Sequence, residues 1–94
     1  MKKIIVACGS GIAVSQMIAF KVRKLLAKRQ IEVKIETIGI RELEQHLDSS
    51  VAYISVIKTE KDYEIPVIDG VAFLTGKGEE EELNKLIQAI EQDV

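Results

Sequence analysis

The chain has 94 residues, enough for one hydrophobic core and too few for two, and it sets 13 Lys and Arg against 15 Asp and Glu. That near-balance predicts no nucleic-acid partner and no general attraction to anionic membrane. One cysteine and one histidine exclude an internal disulfide and a CxxC redox pair and leave no ligand set for structural zinc, so neither metal nor cofactor is expected.

The first element is a continuous apolar run, Ile4, Ile5, Val6 and Ala7, which reads as a buried strand. It stops at Cys8, Gly9, Ser10 and Gly11, and a helical pattern follows. Two glycines this close together let the backbone turn sharply and gather several N–H groups into one concavity, and the free donors of a helix start add positive potential. Such a loop is a cradle for an anion, typically phosphate. The same donors favour a thiolate at Cys8, which makes Cys8 the catalytic candidate; its alternative is a small, packed, inert hydrophobe.

With Ser15 as N-cap, the first helix is expected from Ser15 to Arg29, with Ile18, Val22, Leu25 and Leu26 on its apolar face and Lys21, Lys24 and Lys28 opposite. Lys24, Lys28 and Arg29 read either as a partner patch or as cations favoured by the helix dipole. Ile31, Val33, Ile35 and Ile38 alternate with polar residues and predict a half-covered strand toward an edge of the sheet. Gly39 ends it, and Ile40, Leu43 and Leu47 predict a short second helix on which His46 is expected as a solvated surface residue.

Val51 to Ile57 predicts a central strand, and the polar stretch Thr59 to Glu64 a loop at the same end of the sheet as Cys8. Ile65 to Ile68 predicts a last short strand, placed at an edge by Pro66. After the apolar stretch Asp69 to Thr75, Gly76 and Gly78 precede a third helix striped by Leu83, Leu86, Ile87 and Ile90. Its acidic start, Glu79 to Glu82, is what a helix N-terminus prefers, with an acidic docking site as the alternative. The order β-α-β-α-β-β-α predicts a small three-layer α/β sandwich around a four-stranded parallel sheet, Rossmann-like or flavodoxin-like, with a phosphate loop after the first strand. Cys8, Gly39, Lys58 to Glu64 and Thr75 to Gly78 are then expected around one rim.

Three phosphate loops can be tested against CGSGIAVS. No GK[ST] follows the glycines, so a Walker A loop is absent. A dinucleotide fingerprint lacks its third glycine, Val14 standing there. The C-x5-R loop of cysteine phosphatases has Val14 in place of the arginine that forks around the phosphoryl oxygens. A cradle without that arginine can hold a phosphoryl group on sulfur through backbone donors and the Ser10 and Ser15 hydroxyls, yet lacks the strongest stabiliser for its hydrolysis. That is the character of a carrier.

From KKIIVACGSGIAVSQM at the start to IPVIDGVAFLTGKG before the last helix, the chain resembles the IIB components of the bacterial sugar phosphotransferase system, most closely the galactitol-type branch. The resemblance implies a single IIB domain over 1–94, working in the cytoplasm and meeting the membrane through a partner. A phosphohistidine on a IIA protein would supply the phosphoryl group and Cys8 would carry it. A sugar or polyol imported by the membrane IIC protein would receive it. Gly9, Ser10, Gly11, Ile12, Ala13, Val14 and Ser15 would form the phosphate loop. Galactitol-type loops often read ATS where this chain has Ala13, Val14, Ser15. Ile12, Ala13 and Met17, flanking the loop, read either as a docking surface for IIA and IIC or as packing. Two rival readings are a low-molecular-weight cysteine phosphatase, with Asp62 or Asp69 as general acid, and a non-enzymatic anion-binding module.

Overall fold

A computed structural model describes residues 3–8, 12–56, 63 and 65–92, with Cys8 and Ile12 described in their backbone alone. Four strands, β1 (Lys3–Cys8), β2 (Ile35–Gly39), β3 (Ser50–Ser55) and β4 (Val67–Asp69), form one parallel sheet in the order β2-β1-β3-β4. The expected α/β class, the edge positions of β2 and β4 and the interior position of β3 all hold. Alternation along β1 sorts the core into two faces. Ile4 and Val6 join Ile54, Ile68 and the helix residues Ile18, Val22, Leu26, Leu83 and Leu86. Ile5 and Ala7 point the other way, with Ile38, Leu43 and Tyr53.

The two covering layers are unequal. The first face is covered by two long helices, α1 (Ile12–Lys28) and, later in the chain, Glu79–Gln92. Among the described residues the second has only Ile40–Ser49, where α2 (Leu43–His46) is one α-helical turn between two 3-10 turns, together with Tyr63 and Ile65. Leu43 is buried, while Ile40 and Leu47 pack part-buried beside it. The predicted second helix is therefore broken into three pieces.

Several boundaries move for identifiable reasons. The helix α1 begins three residues before Ser15, within the apolar Ile12-Ala13-Val14, so Ser15 is its fourth residue and not its cap. At its other end Ile31 N–H donates to Leu26 O and Gln30 N–H to Ala27 O, both at 3.0 Å, with Gln30 at φ 60°. This left-handed exit is a Schellman motif built on glutamine where glycine is usual. The exit consumes the Ile31 amide, and β1 first meets this segment where Lys34 O accepts Ile4 N–H at 2.8 Å, so β2 starts at Ile35, not at Ile31. Pro66 stands just outside β4 and contributes its carbonyl, which accepts Tyr53 N–H at 3.0 Å; lacking an N–H, proline suits that flanking position.

The stretch after β4 holds an unpredicted short helix, α3 (Val71–Thr75). Asp69 Oδ1 accepts Val71 N–H at 3.0 Å to start it, and Gly76, at φ 85°, ends it in the left-handed region. Gly70 precedes it in a space with no room for a side chain: a Cβ there would lie 2.9 Å from Ile54 Cγ2 and 3.0 Å from the Ser55 carbonyl oxygen. The final helix, α4 (Glu79–Gln92), turns Leu83, Leu86 and Ala89 into the first core.

Candidate functional site

All four strands run the same way, so Cys8, Gly39, Ser55 and Asp69 end at one rim of the sheet, with Cys8 directly paired with Gly39. The strand order 2-1-3-4 means that the chain leaves β1 toward one side and returns to its other side as β3. The crevice beyond the carboxyl ends of β1 and β3 is thus the topological switch point, where open parallel sheets bind ligands. Cys8 is the last residue of β1 and α1 starts four residues later, at Ile12. The first-turn amides of a helix have no partner within it and carry its positive dipole end. Here they follow immediately on the strand that ends in Cys8.

Gly9, Ser10 and Gly11 lie outside the described residues, as do the side chains of Cys8 and Ile12. Of the remaining loop candidates, Ala13 is exposed, Val14 packs against the first core and Ser15 is buried. The arginine position of a phosphatase loop is thus filled here by a side chain committed to packing. Ser15 is 2% exposed and, among the described residues, its hydroxyl has no hydrogen-bond partner. A buried hydroxyl left unpaired costs about 1–3 kcal/mol, so this position, one turn into α1, carries a cost that no described residue offsets.

The rim is fastened by side chains from α4. Glu82 is buried; its Oε1 accepts Asp69 N–H at 2.7 Å and its Oε2 meets Lys85 Nζ at 2.7 Å. Hydrogen bonding to that carboxylate holds the Lys85 ammonium above the usual lysine range. Glu79 forms an ion pair with Lys21 of α1 at 3.5 Å, without hydrogen-bond geometry. Two of the four glutamates are therefore engaged within the domain. Asp69, a general-acid candidate under the phosphatase reading, caps α3 instead, and Asp62 lies outside the described residues. Of the expected rim loop, only Tyr63 is described within 57–64; it sits edge-on to Tyr53, with ring centroids 5.3 Å apart.

His46 is at the opposite end of the sheet, and it is not the solvated residue expected. Lys3 Nζ lies 2.9 Å from its Nδ1 and 2.6 Å from Glu36 Oε2. Lys3 and Cys8 bracket β1, about 16 Å apart by the rise of a strand, so His46 takes no part in chemistry at Cys8. The Lys3 hydrogen bond holds the Glu36 carboxyl below its ordinary range.

Sequence reasoning missed Phe20 and Leu74, which are exposed on α1 and α3 and line one cleft with Ala13. The available signal was one of phase: Phe20 falls off the Ile18, Val22, Leu25, Leu26 stripe and sits among lysines. Among the described residues no group of three or more His, Cys, Asp and Glu is arranged to hold a metal, and no helix is long and apolar enough to cross a membrane.

Residues 3–85 match the family model of the lactose/cellobiose-specific IIB subunit of the phosphotransferase system. The chain is 36% identical over 76 residues to the phosphotransferase enzyme IIB component SgcB of Escherichia coli K12, covering 81% of this chain and 83% of that protein. It is 30% identical over 91 residues to the galactitol-specific EIIB component of the same organism, covering 96% and 97%. With a parallel sheet whose first strand ends in cysteine ahead of a helix N-terminus, and with these matches over most of its length, the chain belongs to the IIB family of the sugar phosphotransferase system, the phosphotransfer subunits of sugar uptake.

Proposed function

We propose that Cys8 is the phosphoryl carrier of this domain, loaded by a phosphohistidine on a IIA protein and unloaded onto a sugar or polyol, galactitol-like, held by a membrane IIC protein. The observation that carries the reading is the position of Cys8, the last residue of β1 at the switch point, four residues ahead of α1. The galactitol assignment draws on the name of the relative that aligns over 96% of the chain.

In the first step the Cys8 thiolate attacks phosphorus in line. An S–P bond forms, the N–P bond of the phosphohistidine breaks, and its electron pair returns to the imidazole. Amides of Gly9, Ser10, Gly11, Ile12, Ala13, Val14 and Ser15, with the Ser10 and Ser15 hydroxyls, neutralise the equatorial oxygens. A thiolate is already ionised, so this step needs no general base. In the second step a sugar hydroxyl forms the O–P bond, the S–P pair returns to Cys8, and the hydroxyl proton passes to a base of the membrane partner. Val14 in the arginine position keeps the phosphocysteine from rapid hydrolysis, which a carrier requires.

Intact mass spectrometry at neutral pH, after incubation with a phosphoenolpyruvate-driven donor cascade that includes the cognate IIA protein, tests this. One labile phosphoryl adduct is expected on the wild type and none on Cys8→Ser, with the two proteins equally folded. An adduct that persists in Cys8→Ser refutes the carrier role. Steady turnover of an aryl phosphate would favour the phosphatase reading, and phosphate binding that survives loss of the sulfur without any adduct would favour the anion-binding module.

A further inference from the structure

Among the described residues, the four most exposed large apolar side chains are Met17, Phe20, Val71 and Leu74, and all four belong to the neighbouring helices α1 and α3. Met17 is 62% and Phe20 66% exposed. Together with Leu74 they line a cleft of about 580 Å³ between the two helices, which Ala13 enters at the rim end and to which buried Phe73 contributes. Solvating a phenylalanine, a methionine and a leucine at one place is unfavourable, and such clustering marks a surface that is covered in use. An exposed aromatic in such a lining is the kind of anchor that carries most of an interface's energy.

We propose that this α1–α3 cleft is the docking site of the phosphoryl-donor protein; the assignment rests on the carrier reading of Cys8. In-line transfer brings the donor atom within bonding distance of the sulfur, so the donor's surface must lie against the rim. An ordinary protein interface covers about 800 Å² per partner, a disc about 16 Å in radius. Phe20 is only seven residues beyond Ala13, about 10 Å along the helix axis, so a footprint that covers the start of α1 around Ala13 reaches it. The cleft is continuous with the site through Ala13 and α1.

Charge separates the donor from the membrane partner. The helix α1 carries four cations, Lys21, Arg23, Lys24 and Lys28, and no carboxylate. Lys21 faces Glu79, while Lys24 and Lys28 continue the exposed surface beyond Phe20. Cytoplasmic loops of membrane proteins are enriched in Lys and Arg, and a like-charged margin opposes that partner. A donor protein with an apolar centre and acidic margin fits both features.

The test titrates the unphosphorylated cognate IIA protein into the domain carrying Cys8→Ser, which reports docking without chemistry, and separately times the loading and unloading of Cys8 in the otherwise wild-type domain. Phe20→Asp is expected to weaken IIA binding at least tenfold and to raise the donor concentration for half-maximal loading to match, with the loading rate at saturation unchanged. Lys24→Glu should weaken binding less, and only at low salt; Gln45→Ala, on the other face of the sheet, should leave both unchanged. Phe20 is solvent-exposed, so circular dichroism of the variant should match the wild type, and Leu74→Ser gives an independent second reading. Unaltered IIA binding in both Phe20→Asp and Leu74→Ser overturns the proposal, as does slowed unloading to the membrane partner with normal loading, or a concentration-dependent homodimer that Phe20→Asp dissolves. IIA binding that depends on Phe20 without any phosphoryl adduct on Cys8 would uphold the docking site and sink the carrier reading.

Discussion

The two ends of the sheet are finished in opposite ways. Where β1 begins, polar groups find partners inside the domain: Lys3 reaches both Glu36 and His46, and the hydroxyls of Ser49 and Ser50 both donate to the His46 carbonyl. Where β1 ends, Glu82 fastens Asp69, yet among the described residues the Ser15 hydroxyl is buried without a partner, and on the helices that follow Met17, Phe20 and Leu74 face solvent. Both ends are built on the same four strands, so the difference is not one of fold quality. It locates where the domain leaves interactions to be completed by something else, and that is the end where Cys8 stands.

If the end where Cys8 stands rests on a rigid base, that base must be intolerant of substitution. Gly70 is the sharpest place to ask. An added Cβ would meet Ile54 Cγ2 at 2.9 Å, Ser55 O at 3.0 Å and Ile18 Cδ1 at 3.2 Å, and the Gly70 N–H already donates to Ser55 O at 2.7 Å. One of these neighbours is backbone, which cannot swing aside. Gly70→Ala should therefore cost about 1–3 kcal/mol in urea unfolding, whereas Gly39→Ala, at the same rim with nothing within 4 Å of the new carbon, should cost little. Equal costs at the two positions would mean that the rim is loose throughout, and the contrast between the ends would lose its meaning.

Ser15 sharpens the contrast by separating stability from function. Removing an unpaired buried hydroxyl should leave Ser15→Ala as stable as the wild type or more so. A hydroxyl that donates to a phosphoryl oxygen makes a charge-assisted bond of about 1.5–3 kcal/mol, so loading of Cys8 should slow by roughly 10- to 100-fold. Equilibrium unfolding and single-turnover loading together decide it. A variant that loses stability and loads normally would show that the hydroxyl serves the fold.

What the sequence made legible follows from the range of the forces involved. The strands could be read because each buries a run or an alternating set of β-branched residues, and the junction at Cys8 because glycine punctuates it. Ser15 was misplaced because a serine ahead of an apolar stripe looks like a cap, and nothing local says that Ile12, Ala13 and Val14 are already helical. The five residues of α3 are too few to show a period. The contact between Lys3 and His46 joins residues 43 apart in the chain, and only the packing of the Ile40–Ser49 segment on the second face brings it about. Phe20 was readable as an aromatic out of phase with its helix, but its meaning needed α3 beside it.

The smallest effect is expected at the closed end, and it is diagnostic by its pH dependence. Lys3 Nζ donates to Glu36 Oε2 at 2.6 Å and depresses the Glu36 carboxyl in the folded state. A group whose folded pKa lies below its unfolded value contributes stability that is fully present above the unfolded value and disappears as pH falls through the folded one. Glu36→Gln should therefore be slightly less stable than the wild type at neutral pH, by less than Gly70→Ala costs, because the pair is part-exposed and screened by solvent. The gap should be constant upward from neutral pH and should close as the pH falls below the ordinary glutamate range. Thermal melts of the two proteins across that acid interval measure it, and the rate at which Cys8 loads should be the same in both at neutral pH. A loading defect in Glu36→Gln comparable to that of Ser15→Ala would couple the two ends of the sheet, and the division between a closed end and an open one would then have to be abandoned.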